Sequence, residues 1–285
     1  MYLRQMFLLT AALAAMPAAA QSSDAAPKPP LAPEAQTALI EAARTGTLEY
    51  SARLPNFLCT EVMRRYSAPL QAGRDPSWKL LDTLTVHVSY FGQKEDYRVV
   101  QVNGKSSDKP LGEFGGQKTM GDFGSMLTSV FRPASEAKFE WSGWSVYEGH
   151  TAAVFSYRIE LAHSTFHSTQ SYITLGLRRK HFSANWAAKG LVYVDPETPQ
   201  VYRLTIDSVD VPADFPVQNV HIAIDYAIRK VGDRDYLLPV RSISSVEVDK
   251  RVYKADTEFA DYRKFSADAA VTFGAEADEA PGRMQ

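Results

Sequence analysis

Apolar and polar residues alternate with a period of two along most of this 285-residue chain. Leu84, Val86, Val88 and Tyr90 fall on one side of an extended segment, with Thr83, Thr85, His87 and Ser89 on the other. Ala153, Phe155, Tyr157 and Ile159 repeat the pattern. Val220, Ile222, Ile224, Tyr226 and Ile228 carry it furthest, opposed by His221, Asp225 and Arg229. Such runs predict half-buried antiparallel strands, with one face on a core and one in water. Further strands are predicted near 57–67, 94–102, 137–147, 165–176, 178–185, 190–195, 201–209, 234–248 and 251–264. Asn103-Gly104 is a two-residue hairpin signal, and Phe91-Gly92-Gln93-Lys94 and Val231-Gly232-Asp233 punctuate similarly. About ten strands in succession are too many for a flat sheet. The expected fold class is mainly β (α+β): a strongly curved antiparallel sheet or incomplete β-barrel with covering helices.

The pattern changes period in two places. Pro33 to about Arg53 is rich in Ala and Glu and predicts a helix, with a break near Gly46. Phe123, Met126, Leu127, Val130 and Phe131 stand at i, i+3, i+4, i+7 and i+8, an apolar stripe on one helix face. Asp122 is placed to cap that helix, and Pro133 lies just past its end. So apolar a short helix must bury its stripe, and the concave side of a curved sheet is the natural place.

Composition then sets the compartment. MYLRQMFLLTAALAAMPAAA reads as an export signal, with Arg4 at its start, a short apolar run, and cleavage expected after Ala20. The run is shorter than the roughly 20 residues of a membrane-spanning helix. Residues 21–33 form a Pro/Ala-rich linker, 34–265 a single curved antiparallel β domain, and 266–285 a loose tail. Removing Arg4 and no acid leaves 30 bases against 33 acids, a net charge of −3, which argues against general nucleic-acid binding. The single cysteine, Cys59, excludes an internal disulfide and is expected to be a small buried hydrophobe. The expected location is periplasmic or secreted.

Gly190-Leu191-Val192-Tyr193-Val194-Asp195-Pro196-Glu197-Thr198, followed by Val201-Tyr202-Arg203-Leu204, forms a hairpin within a long meander. With the leading helix and the apolar helix between strands, it resembles the LolA/LolB-like superfamily of periplasmic proteins and the related N-terminal domains of RseB-type regulators. That resemblance implies an unclosed β-barrel covered by helices, whose apolar concavity binds acyl chains of lipoproteins or lipids.

Candidate chemistry is sparse. Asp195 and Glu197 suggest an acidic pair, but an Asp-Pro start followed at once by the phased strand Tyr202, Leu204, Ile206 favours turn chemistry. His163 and His167, about 13 Å apart on an extended strand, are too distant to share one metal ion. Gly104-Lys105-Ser106 lacks the earlier glycine of a phosphate loop. Trp141 and Trp144 share a strand face only if a bulge falls at Gly143. No nucleophile elbow is present, and no catalytic residue, metal ligand or cofactor is assigned.

The leading expectation is a non-catalytic protein that binds a lipid or lipoprotein acyl chain. Phe123, Met126, Leu127, Val130 and Phe131 would line the site, facing Val86, Val88, Ile222 and Ile224. The alternative is an envelope protein–protein interaction module with a packed core, using the basic run Arg178, Arg179, Lys180 as its contact surface. A hydrolase without a recognisable motif is the third reading.

Overall fold

The structure is a computed structural model, and it describes residues 28–114, 122–173 and 179–265. The expected signal peptide, most of the linker and the tail lie outside the described residues.

Strands form where the alternation predicts them, with the two-residue β4 (Lys105–Ser106) added after the Asn103-Gly104 turn: β1 (Phe57–Pro69), β2 (Lys79–Phe91), β3 (Lys94–Val102), β5 (Lys138–Tyr147), β6 (His150–Ile159), β7 (His167–Ile173) and β8 (Arg179–Asn185). They continue as β9 (Ala187–Val194), β10 (Val201–Val209), β11 (Val217–Val231), β12 (Arg234–Val248) and β13 (Arg251–Lys264). Eleven of these make one antiparallel sheet in the order β4-β3-β2-β1-β13-β12-β11-β10-β9-β6-β5, while β7 and β8 form a separate ribbon. The sheet stays open, with β4 and β5 at its edges. The first and last long strands are neighbours: β1 pairs with β13 over nearly its whole length, from Phe57 opposite Lys264 to Pro69 opposite Arg251. The meander is thus closed across its middle, an arrangement that local periodicity does not reveal.

The turns follow their glycines. Gly92-Gln93 and Asn103-Gly104 carry positive φ at both central positions (56° and 62°, 52° and 76°), as the twist of a two-residue hairpin requires.

Two helices cross the inner face of the sheet. Helix α1 runs unbroken from Pro33 to Arg53. No break occurs at Gly46, because the buried face Leu39, Ile40, Ala43 and Thr47 holds the helix on the sheet despite a glycine cost of about 1 kcal/mol. Helix α2 is only Ser125–Phe131. Its N-cap is Gly124, not Asp122 as expected. Gly124 has φ 132°, and a Cβ there would lie 3.2 Å from Ser51 Oγ of α1, so the glycine allows close helix contact. The Asp122 carboxylate is committed elsewhere, accepting a hydrogen bond from Ser242 Oγ on β12 (3.2 Å).

One expected inward position is not buried: Ile228 keeps the phase of Ile222, Ile224 and Tyr226 but is exposed toward the end of β11.

Candidate functional site

The inner face of the sheet carries two apolar clusters. The larger contains Leu39, Ile40 and Ala43 of α1, Leu127, Val130 and Phe131 of α2, and residues of β6, β9, β10, β11 and β12 that include Ile222 and Ile224. The smaller draws mainly on β1, β2, β3 and β13 and contains Val86, Val88 and Phe123. The nine expected lining residues therefore divide. Leu127, Val130 and Phe131 meet Ile222 and Ile224, with Met126 at the margin. Phe123, two residues before α2, points into the other cluster, where its ring contacts Phe57 (centroids 5.3 Å apart) and Phe259 (5.4 Å).

A buried polar line runs through the smaller cluster toward the larger. It begins at Glu61 and Arg65 on β1, crosses Thr257 on β13, and ends at Ser242 and Ser244 on β12, all buried. Alternation explains it: Phe57, Cys59, Glu61, Met63 and Arg65 share the inward phase of β1. Arg65 is satisfied by Asp82, with Nε–Oδ1 at 2.7 Å and Nη2–Oδ2 at 2.5 Å. Glu61 is only 2% exposed. Burial first, then the nearby carboxylates of Asp122 and Glu95, push its carboxyl well above the usual range. The Cys59 thiol beside it is raised by burial and then by Glu61, which fits the inert cysteine expected.

Eight of the nine lining residues are at most 5% exposed, Met126 being the exception, so each packs within its own cluster. Among the described residues, an open groove of about 500 Å³ lies against β5, β6, β9 and β10 and carries mixed charge, including Lys138, Arg158, Glu160 and Asp207. A hollow of about 260 Å³ lies beside the second half of α1, against Tyr50 and Tyr236. Neither is lined by the nine residues.

The larger cluster reaches solvent at the β5 edge. Trp141 and Trp144 do share a face, because the β5–β6 register slips between Trp141 and Gly143 and Gly143 takes φ 131°. Their rings meet edge to face at 5.2 Å, and Trp141 meets Phe155 at 5.4 Å. Phe139 stacks on Phe131 of α2 at 5.4 Å. Arg44 of α1 stands over Phe139 (5.9 Å to the ring centre) and donates from Nη1 to the Phe131 carbonyl at 2.7 Å. Phe139, Trp141, Trp144 and Met126 are all partly exposed and packed against the buried cluster. They form an apolar track from the open sheet edge to the interior. Phe139 had no signal in the sequence beyond its strand phase, whereas the Trp pair was marked by the glycine between its members.

The other candidates resolve as structure. Asp195 is a turn acceptor, bonded by Glu197 N (2.8 Å), Thr198 Oγ1 (2.7 Å) and Tyr202 OH (2.5 Å). Burial raises its carboxyl, but the bonds from Tyr202, Glu197 and Thr198 outweigh this and hold it below the usual range. His163 ends a short 3₁₀ turn and faces Glu136 (3.5 Å), while His167 begins β7, so they do not share a strand. Among the described residues, no group of three or more His, Cys, Asp or Glu could hold a metal ion. Arg178 lies outside the described residues; Arg179 and Lys180 are on β8, opposite Ile173 and Tyr172.

No family model matches the chain, and no curated protein matches it. Solved structures do resemble it. A LolA superfamily protein from Nitrosomonas europaea is 11% identical, with 82% of this chain and 96% of that chain covered at a TM-score of 0.38. An outer membrane lipoprotein-sorting protein domain from Vibrio parahaemolyticus is 12% identical, with 85% and 98% covered at 0.38. A DUF1329 family protein from Desulfovibrio piger is 10% identical, with the same coverage and TM-score. The likeness is one of fold.

Proposed function

We propose that this chain is an exported, non-catalytic binding protein that takes a lipid, or the acyl chain of a lipoprotein-like ligand, into the interior now filled by α2. The observation that carries this reading is the partly exposed track of Met126, Phe139, Trp141 and Trp144, which joins the open β5 edge to the buried cluster. Exposed aromatics continuous with a core mark a binding surface more often than isolated ones do.

Room for a chain comes from α2. Seven residues are far below the roughly 12–15 at which an isolated helix becomes even marginally stable. Its N-cap makes no side-chain hydrogen bond. It is held by side-chain packing and by a few bonds, chiefly from Arg44 to the Phe131 carbonyl. Withdrawing Leu127, Val130 and Phe131 would leave an apolar floor that includes Ile222, Ile224, Leu204 and Val192. A cavity of several hundred Å³ is the usual size of a small-ligand site. The competing reading, a protein–protein interaction module, draws on how deeply those residues are buried.

The test is a titration of delipidated mature protein with a dansyl-labelled long-chain fatty acid, read by energy transfer from tryptophan. Saturable binding at one probe per chain is expected. Trp141→Ala/Trp144→Ala should weaken it by roughly tenfold or more, equivalent to about 1.4 kcal/mol, with Phe182→Ser as a control that leaves it intact. Affinity unchanged in the double variant would remove the track from the site.

A further inference from the structure

We infer that the tip of the sheet formed by the β1–β2 loop and the β12–β13 turn docks onto the surface of an anionic lipid bilayer. Every residue from Pro69 to Leu81 is exposed, and four of them are large and apolar: Leu70 (44%), Trp78 (37%), Leu80 (48%) and Leu81 (43%). They are brought together by pairing. Leu80 lies opposite Tyr66, Tyr66 lies opposite Lys254, and Leu70 N donates to the Lys250 carbonyl at 2.7 Å. Lys254 Nζ stands 4.7 Å from the ring centres of both Tyr66 and Trp78, fixing the indole at the edge of the patch.

Charge decides the partner. Residues 69–81 and 249–254 contribute the bases Arg74, Lys79, Lys250, Arg251 and Lys254 against the acids Asp75 and Asp249. This net positive tip sits on a chain whose formal charge is −2. Among the described residues none of the five bases forms a salt bridge, Arg251 donating to Ser67 Oγ at 2.7 Å, whereas Arg64 and Arg241 on the adjoining strands are paired with Glu258 and Asp256. Lysine and arginine without a carboxylate partner, set around exposed leucine and tryptophan, are the chemistry of a protein resting in a headgroup layer: the rings and leucines enter the interface, and the cations meet lipid phosphates. A polar or neutral protein partner would leave those cations unmatched. The inference does not depend on what the interior holds.

The experiment is cosedimentation of mature protein with phosphatidylglycerol/phosphatidylethanolamine vesicles and, separately, with phosphatidylcholine vesicles. Binding to the first and not the second is expected, weakening as salt is raised. Trp78→Ser/Leu80→Ser/Leu81→Ser should lower vesicle affinity by roughly tenfold or more, and Lys79→Glu/Lys250→Glu should abolish the lipid-charge preference. Both sets lie outside the core, so unchanged unfolding midpoints would show that the fold is intact. The inference fails if wild-type protein ignores anionic vesicles, or if the triple-serine variant binds them as well as wild type. It also fails if sedimentation velocity shows that the patch holds two copies of the chain together.

Discussion

Gly190→Ala is expected to lower stability by roughly 3 kcal/mol, at the upper end of what overpacking costs and more than alanine at any other glycine among the described residues. Gly190 sits on β9 opposite Tyr157 of β6, with β10 on its other side. A Cβ at this position would lie 1.9 Å from the Thr205 carbonyl oxygen, 2.7 Å from its carbon and 2.9 Å from Tyr157 Cε1. Two of those atoms are backbone and cannot swing aside. The ring is pinned as well, because Tyr157 OH donates to the same Thr205 carbonyl at 2.8 Å. Thr205 Oγ1 also accepts from Leu191 N at 2.9 Å, so the side chain takes part in the ladder at this point. The methyl would therefore have to push β10 away from β9 and break these bonds. Gly46→Ala is the internal control. It lies exposed within α1 with nothing within 4 Å of the added carbon, and should stabilise by about 0.5–1 kcal/mol. Guanidinium unfolding of the three proteins measures both effects. A Gly190→Ala midpoint equal to wild type would show that the strands are not packed this closely.

Glu61→Gln is expected to make the protein more stable at pH 8 than wild type, with the gain vanishing in acid. The folded-state carboxyl is raised by burial, Asp122 and Glu95, so the native chain holds its proton where the unfolded chain has lost it. Stability from this group is complete below the ordinary carboxylate range and is lost as pH rises toward the raised folded value. Glutamine keeps the shape and the neutral state at every pH. The groups around Glu61 are Asp122 before α2, Glu95 and Tyr97 on β3, and Cys59 on its own strand. Because those groups titrate in both proteins, the informative quantity is the difference between variant and wild type from pH 4 to pH 8. A difference that stays flat, or one in which the variant is weaker throughout, would mean that Glu61 is not held neutral.

Much of the architecture can be read from residue phase, because burial on one side of a strand imposes alternation directly. The long strands follow it, and the Asn103-Gly104 turn follows from the backbone that only such residues adopt readily. Pairing between distant strands leaves no such trace. Nothing in 57–69 announces 251–264 as its neighbour, since each run needs only some apolar partner. Asp122 misled for a related reason. A carboxylate before an apolar helix is a good cap in isolation, but here Ser242, 120 residues away, takes its oxygen. The interior was half readable. The stripe on α2 and the strands it meets were visible as apolar positions, whereas the buried polar line of Glu61, Arg65, Thr257, Ser242 and Ser244 depends on the pairing of three strands, β1, β13 and β12. Glu61 could have been found by phase alone, as the acid among Phe57, Cys59 and Met63.

What separates a carrier from a packed module is whether a chain of lipid can replace α2. Native mass spectrometry of mature protein, purified without detergent from an envelope extract, tests this most directly. The account predicts a population heavier by the mass of one acyl lipid, released by organic extraction and restored when stripped protein is incubated with lipid vesicles. A single lipid-free species, both as purified and after incubation, would contradict it and leave α2 as a permanent part of the core.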